Sequence, residues 1–285
     1  MHMAQKLGAA KLSILVNVGL LLSKIAAAII TGSIGLYAES AHSLFDLIAS
    51  LLAYLGIRKA EEPEDRTHSF GHEKFENLSS LLQALLITGT AFVVLFEAYQ
   101  KLSGPSEVEF SEVGIVLMLV SVPVTYFTSK YLGDIAKKEG SSALEADSAH
   151  FTTDVISSIS VLLGLVLVKL GYAYGDPLGA IVVGIVMIYI SIELLKHSFF
   201  VFMDFTPDKG TMDRIGKVLT DEKRITRFHK LRARMAGSRI LVDVHIHLPH
   251  KTPVETAHMI AHEIETNILR DVPSVKEVSI HIEPD

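Results

Sequence analysis

The sequence predicts an α-helical membrane protein with six transmembrane helices, followed by a C-terminal α+β domain. Three observations support this fold class: high apolar content, its concentration in long blocks, and the end of those blocks near residue 205. Of the 285 residues, 49% are hydrophobic. A helix needs about 20 mostly apolar residues to cross a bilayer. Blocks of that length lie at 10–31, 33–57, 78–101, 112–132, 145–169 and 177–202.

The composition changes sharply after the last block. Residues 205–285 contain 13 of the 26 Lys and Arg residues and 7 of the 13 His residues. We therefore predict a membrane domain at 1–204 and a soluble domain at 205–285. The chain has no Cys, which excludes disulfides and thiolate metal sites. The net charge of −6 argues against a nucleic-acid partner.

The distribution of basic residues predicts the orientation in the membrane. The loops after the second and fourth helices are basic, whereas the loops at 31–36, 101–111 and 169–176 carry at most one basic residue each. Basic loops stay in the cytoplasm, so both termini and the C-terminal domain are predicted to be cytoplasmic. The basic residues are Arg58, Lys59, Arg66 and Lys74 in the first loop and Lys130, Lys137 and Lys138 in the second.

A short sequence motif occurs twice, at 38–50 and at 146–158. Each copy places His and Asp four residues apart: His42 with Asp46, and His150 with Asp154. Residues four apart share one face of a helix. Helix two is predicted to start outside and helix five inside, so the two halves would be related by inverted symmetry, a common transporter plan.

These four residues predict a metal site within the membrane. Ionisable residues inside a bilayer are costly, and they are taken as functional by default. Two imidazoles and two carboxylates form a tetrahedral set that zinc accepts. Metal binding requires neutral His and ionised Asp, so the site would exchange metal for protons. The alternative is a set of polar contacts that hold helices together.

The loop between helices two and three contains a second candidate. Asp65, His68 and His72 lie within eight residues and can reach one ion. A solvated polar loop explains the same pattern equally well. Asp147, one turn before His150, is a further candidate ligand, although a carboxylate at a helix end is the preferred interpretation.

The C-terminal domain shows the order helix, strand, strand, helix, strand. Ile240 to Leu248 alternates apolar residues with Asp243, His245 and His247, which predicts a half-buried strand. Its helices are expected to cover one sheet face and leave a His-bearing face for a metal or a second subunit. An exposed histidine-rich surface is the alternative. The candidate ligands are His229, His245, His247, His250, His258, His262, His281, Glu283 and Asp285.

Together these features resemble the cation diffusion facilitator family, zinc-transporting type, over essentially the whole chain. The resemblance depends on six spans, the paired motif, His-Ser-Phe-Gly-His at 68–72, and the segments 228–232 and 257–259. It implies a ferredoxin-like (metallochaperone-like) cytoplasmic domain and a homodimer in a cell (inner) membrane. It also implies efflux of divalent metal driven by proton entry, by alternating access, so the chain would be a transporter and not an enzyme.

The resemblance also assigns residues. His42, Asp46, His150 and Asp154 match the transport site, and Asp65, His68 and His72 match the loop site. The cytoplasmic site, where zinc would act as a regulator, matches His229, His245, His258, His281 and Glu283. Lys74 and Asp204 match a charge interlock between subunits.

Two positions depart from the family pattern. Many bacterial members carry Asp at the position of His42, and an acidic or amide residue often occupies the position of Ile282. An added imidazole disfavours manganese and magnesium. The His version is similar to that of the zinc-transporting branch, and it leaves Fe²⁺, Cd²⁺, Co²⁺ and Ni²⁺ open, because affinity order alone does not select zinc. The other functions considered are a membrane-anchored metal sensor, an intramembrane metal-dependent hydrolase and an acyltransferase.

Overall fold

The computed structural model describes residues 2–32, 34–103, 112–170, 172 and 174–285. The chain divides into two compact units, Met1–Phe199 and Phe200–Asp285. The expected charge-poor turn at 101–111 falls mostly outside the described residues, as do positions 33, 171 and 173 of the two other charge-poor turns.

Six long helices form the first unit, which confirms the predicted fold class. Several extend beyond the predicted blocks, because polar and charged residues continue the helix past its apolar stretch. The helices are α1 (His2–Thr31), α2 (Ile34–Ala60), α3 (Lys74–Ser103), α4 (Glu112–Glu139), α5 (Ser142–Lys169) and α6 (Gly175–Phe202).

Four of these helices are long and apolar enough to cross a membrane: α1, α3, α4 and α6. Helices α2 and α5, with 27 and 28 residues, are also long enough to span a membrane. These two helices contain the His-x-x-x-Asp pairs. Polar side chains in a spanning helix face the bundle interior, so α2 and α5 are expected to be the functional helices.

The helices pack through small residues. One core joins α1, α2, α4 and α5 around Ala9, Ala10, Ala53 and Phe151, and another joins α3, α5 and α6. Gly56 of α2 permits close packing on α3, because a Cβ atom there would lie 2.4 Å from the Cβ of Ser79. Small residues at membrane helix contacts allow such approach.

The second unit contains α7 (Lys209–Asp221), β1 (Arg227–Ala236), β2 (Arg239–Leu248), α8 (Val254–Asp271) and β3 (Val275–Pro284). The predicted order of elements is confirmed. β1 pairs antiparallel with β2, and β2 pairs parallel with β3. Alternate residues of β2, from Ile240 to Leu248, are buried together with Ile215 of α7 and with Ile264 and Ile268 of α8. Both helices therefore pack into one core with the apolar side of the sheet.

The α2–α3 contact gives a first testable prediction. Gly56→Ala should lower the thermal stability of the purified protein in detergent, because overpacking costs about 1–3 kcal/mol. Gly19→Ala in α1 is the matched control, since a Cβ atom there meets nothing within 4 Å. The control should melt at the same temperature or higher, because Ala favours helix by ~1 kcal/mol over Gly. Equal melting of Gly56→Ala and the native protein would contradict the close contact.

Candidate metal sites

The two repeated His-x-x-x-Asp pairs come together between α2 and α5. Nε2 of His150 lies 3.0 Å from Oδ1 of Asp46, and Nε2 of His42 lies 3.8 Å from the same oxygen. Ligand atoms of His42, Asp46 and Asp154 all lie within 4.8 Å of one another. We call these four residues the quartet. They supply two imidazoles and two carboxylates to one small volume, a donor set suited to a divalent ion.

The quartet is unevenly exposed. The His42 side chain is 38% exposed, whereas Asp46 is 8% exposed. His150 is also buried. Because α2 and α5 run antiparallel, His42 and Asp154 lie nearer the end of the bundle where α2 begins. Asp46 and His150 lie nearer the end where α5 begins. In this conformation the quartet is therefore more open towards the beginning of α2.

A layer of hydrogen bonds lies one helical turn beyond Asp46 and His150. Asn17 donates to the backbone carbonyl of Asp46 (3.2 Å) and to Oγ of Ser50 (2.7 Å). The hydroxyls of Ser13 and Ser50 lie 2.5 Å apart, and Ser50 donates to Oδ1 of Asp147 (2.9 Å). This layer, which we call the inner layer, joins α1, α2 and α5.

Sequence reasoning missed the inner layer. Asp147 was preferred as a helix-end carboxylate; it lies in the second turn of α5, which begins at Ser142, and it is 0% exposed inside the bundle. Helical spacing contained a usable signal, because Ser50 follows Asp46 by four residues and Asp147 precedes His150 by three. The partners from α1, Ser13 and Asn17, could not be paired with α2 without the three-dimensional contacts.

Lys24 of α1 lies on the other side of the quartet. Its ammonium group donates to the hydroxyl of Ser43 at 2.7 Å, and it interacts electrostatically with Asp46 and Asp154. A cation near two membrane carboxylates reduces their mutual repulsion when no metal is bound. The sequence analysis did not single out this lysine.

A buried ion pair closes the end of the bundle at which α1, α3 and α5 begin. Nζ of Lys6 lies 2.6 Å from Oε1 of Glu76, and Ser141 donates to Oε2 of Glu76 at 2.6 Å. Lys6 and Glu76 are 5% and 2% exposed. The inner layer and this ion pair therefore separate the quartet from that end.

The loop residues Asp65, His68 and His72 form a second cluster. Nε2 of His72 and Nδ1 of His68 each lie 3.4 Å from a carboxylate oxygen of Asp65. Hydrogen bonds from the Thr67 hydroxyl and from the amides of His68 and Thr67 hold the pKa of Asp65 well below its usual range. The carboxylate is therefore ionised and fixed in position, as a metal ligand must be.

His72 provides the strongest indication of a cation in this loop. Its Nδ1 lies 3.3 and 3.1 Å from the carbonyl oxygens of Glu62 and Pro63. Carbonyl oxygens only accept, so Nδ1 bears a proton and Nε2 is the nitrogen left to bind a ligand. Nε2 is directed at the Asp65 carboxylate, 3.4 Å away, and it is buried without a hydrogen bond among the described residues. A metal ion between them would satisfy both groups.

The sheet of the second unit aligns the third cluster. His229, His245 and His281 are register partners across β1, β2 and β3, and His247 is paired with Glu283. Residues two apart on a strand share a face, so all five side chains lie on one side of the sheet. Their ligand atoms form two groups, His229 with His247 and Glu283, and His245 with His281 and Glu283.

Glu283 is common to both groups. Its Oε1 accepts from Nδ1 of His245 at 2.7 Å, and its Oε2 lies 3.2 Å from Nε2 of His247. The hydrogen bond from His245 lowers the pKa of Glu283, and loss of hydration lowers the pKa of His229. An ionised carboxylate beside neutral imidazoles is the protonation state that binds metal, and one carboxylate can bridge two ions.

The C-terminal ligand set differs from the predicted set at two positions. His247 joins a group although it was named only among the wider candidates. His258 lies exposed on α8, and the structure does not bring it into either group within the described part of this single chain. His262 is exposed on the same helix, with Nδ1 3.3 Å from a Glu265 oxygen. His197 of α6 lies 3.7 Å from Glu145 and joins none of these groups.

The interlock residues lie in different units. Lys74 begins α3 in the first unit. Asp204 follows α6 in the second unit, where its Oδ2 lies 3.1 Å from Nη1 of Arg234.

Both parts of the chain match models of one protein family. Residues 10–203 match the cation efflux transmembrane domain, and residues 207–285 match the cytoplasmic domain of cation efflux proteins. The chain belongs to the cation diffusion facilitator family. It is therefore a divalent cation efflux transporter with a helical transmembrane region and a cytoplasmic C-terminal domain. This identification sets aside the hydrolase, acyltransferase and sensor alternatives.

Individual relatives agree over nearly the full length. The cation-efflux pump FieF of Escherichia fergusonii is 31% identical over 265 residues, covering 93% of this chain and 88% of that protein. FieF of Klebsiella pneumoniae is 32% identical over 266 residues with the same coverage. The metal-bound C-terminal domain of the CzcD transporter from Thermotoga maritima is 27% identical, with a TM-score of 0.26, over 26% of this chain and 87% of that one.

The shared carboxylate gives a prediction for the C-terminal cluster. Glu283→Gln should remove one ligand from each of the two groups, so the full-length protein should bind about two fewer Zn²⁺ ions per chain in equilibrium dialysis. His281→Ala and His229→Ala should each lose about one ion. His262→Ala is the control for loss of an imidazole and should lose none. Equal ion counts for Glu283→Gln and His281→Ala would contradict a bridging carboxylate.

Proposed function

We propose that this transporter exports Zn²⁺ from the cytoplasm across a cell (inner) membrane in exchange for protons. The observation that carries the proposal is the convergence of His42, Asp46, His150 and Asp154 between α2 and α5. Two carboxylates balance the charge of a dication, and two imidazoles suit a borderline metal such as zinc. The same chemistry accommodates Fe²⁺, Cd²⁺, Co²⁺ and Ni²⁺, which are the alternative substrates.

Proton exchange follows from the ligands themselves. The imidazole of His150 hydrogen bonds to Asp46 in the metal-free arrangement, so a metal ion must displace that contact and any proton shared in it. Binding therefore releases protons, and protonation releases the metal. A site that opens alternately to each side would couple inward proton movement to outward metal movement.

The proposed orientation places both termini in the cytoplasm. The cytoplasmic end is then the end closed by Lys6, Glu76 and Ser141, and the quartet is accessible from the opposite side past His42. In this assignment the structure corresponds to a conformation closed to the cytoplasm. An inward-open state requires the Lys6–Glu76 pair and the inner layer to separate.

We further propose that residues 1–204 form the transport domain and residues 205–285 a dimerising regulatory domain. The family that the C-terminal domain matches is named for a dimer, which supports a homodimer. Zinc at His229, His245, His281 and Glu283, with His258 completing the set across the dimer, would act as the regulator. Lys74 and Asp204 are proposed to interlock the two subunits, and the loop cluster is proposed to bind metal before transport.

Reconstituted transport tests the quartet and the coupling together. Liposomes that contain the native protein should move Zn²⁺ while protons move in the opposite direction, followed by zinc-sensitive and pH-sensitive dyes. Asp46→Ala combined with Asp154→Ala should reduce zinc flux by at least about 100-fold, because uncompensated loss of buried charge partners costs about 3–5 kcal/mol. Asp134→Ala on the exposed side of α4 is the control and should transport normally.

The assay tests the transport site and the proton coupling separately. Undiminished flux in the double variant would contradict the quartet as the transport site. Zinc flux with no opposing proton movement would contradict proton exchange but leave the quartet in place.

Metal selectivity gives a separate prediction. His42→Asp replaces an imidazole with a carboxylate, which favours hard, oxygen-preferring ions. The ratio of Mn²⁺ to Zn²⁺ transport should rise by about tenfold, the lower end of the affinity changes seen when a metal site is altered. His197→Asp is the same substitution outside the quartet and should leave the ratio unchanged. If both variants keep the native ratio, His42 does not determine selectivity.

A further inference from the structure

We propose that Asp147, Ser13, Ser50 and the Nδ1 atom of His150 form a second cation-binding position, one helical turn from the quartet. A partly hydrated divalent metal ion would bind there on its way between the cytoplasm and the quartet. The inference deepens the proposed function and rests on the quartet being the transport site.

The position repeats the α2–α5 contact of the quartet one turn further along. Nε2 of His150 meets Oδ1 of Asp46 at 3.0 Å, and Oδ1 of Asp147 meets the Ser50 hydroxyl at 2.9 Å. Asp147 precedes His150 by three residues, and Ser50 follows Asp46 by four, so both pairs lie along the same helix–helix seam. The Ser13 hydroxyl reaches the position from α1, 2.5 Å from Ser50.

Two buried polar atoms in this turn of α5 have no hydrogen-bond partner within the described residues. They are Oδ2 of Asp147 and Nδ1 of His150. Both residues are almost fully buried, with Asp147 0% and His150 3% exposed. An unsatisfied polar atom inside a protein is rare and costly. Two of them within one helical turn indicate a missing partner rather than a packing defect.

The geometry of His150 allows it to serve both positions. The two ring nitrogens of an imidazole point in different directions. Since Nε2 of His150 faces Asp46, its Nδ1 faces away from that contact and remains available. A neutral imidazole has one lone pair, so His150 serves the two positions in turn: its Nδ1 can bind an ion beside Asp147 while Nε2 donates to Asp46, and its Nε2 binds once the ion is in the quartet. When both positions are filled, Asp147, the two hydroxyls and water hold the second ion.

The donor chemistry suits a passing divalent ion. One carboxylate, two hydroxyls and one imidazole nitrogen form a mixed oxygen and nitrogen set that first-row divalent metals accept when water completes the coordination. A single carboxylate provides half the negative charge of the quartet. The ion is therefore held less tightly here, and conduction requires binding that is weak enough for release.

The neighbouring charged groups leave room for this assignment. Towards the end where α5 begins, the next charged pair is Lys6 with Glu76, and the two are joined to each other at 2.6 Å. Asn17 fixes Ser50 and the backbone of Asp46 from α1, so the hydroxyl ligands are held in place. The position lies directly between that ion pair and the quartet.

Equilibrium dialysis of full-length detergent-purified protein with Cd²⁺ alone tests the proposal. Asp147→Asn keeps the shape of the side chain and removes its charge, and at saturation it should bind about one Cd²⁺ fewer per chain than the native protein. His42→Ala combined with Asp154→Asn disables the quartet and should also bind about one Cd²⁺ fewer per chain. The three substitutions together should bind about two Cd²⁺ fewer, because the two positions are separate. Ser198→Ala, which removes another buried hydroxyl in α6, should lose none.

The outcomes separate this proposal from the proposed function. If Asp147→Asn binds as many Cd²⁺ ions per chain as the native protein, the second position is refuted. If the quartet variant loses no ion, the transport-site assignment fails instead. Should Asp147→Asn not fold, Ser50→Ala keeps the carboxylate and should raise the Cd²⁺ concentration for half-occupancy of the weakest site several-fold. No shift in Ser50→Ala would equally overturn the proposal.

Discussion

The hydrogen bond between His150 and Asp46 joins the two helices that carry the quartet. Lipid offers no water to solvate these side chains, so α2 and α5 must face each other for either to be stable in a bilayer. Helices α1, α3, α4 and α6 pack around this pair. The polar contact therefore fixes how α2 and α5 face each other.

Successive polar layers run along this axis and differ in how completely their groups are paired. At one end Lys6, Glu76 and Ser141 satisfy one another through bonds of 2.6 Å. The inner layer is only partly satisfied, and the quartet brings two carboxylates close together. A fully paired layer stabilises one conformation, whereas an incompletely paired layer gains free energy when a cation enters. The closed end and the binding region thus differ in how completely their buried polar groups are hydrogen bonded.

The sequence was sufficient for the helix count, the α+β order and the repeated His-x-x-x-Asp pairs, because these depend on local periodicity. It was also sufficient to place His245 beside His281, since strand alternation fixes which residues share a face. It could not reveal that Ser13 and Asn17 meet Ser50, because that contact depends on how α1 docks. Lys24 was missed for the same reason. The burial of Asp147 near the start of α5 was not predicted, because its sequence neighbours do not show that α1 and α2 cover it.

The three candidate metal clusters use the same two side-chain types but differ in what holds their ligands. In the quartet, helices fix the ligands, and under the proposed function protons would compete with the metal for His150 and Asp46. In the loop, hydrogen bonds from Thr67 and His68 fix Asp65, and the carbonyls of Glu62 and Pro63 fix the tautomer of His72. In the C-terminal sheet, strand register brings the imidazoles around Glu283, which accepts a hydrogen bond from His245. A ligand that is held by bonds which survive metal loss keeps its geometry in the empty state. In the quartet the His150–Asp46 hydrogen bond must break before metal binds, and in the C-terminal cluster the His245–Glu283 hydrogen bond must break. At both sites metal binding would therefore compete with protons, and at the quartet this competition is what the proposed exchange of metal for protons requires.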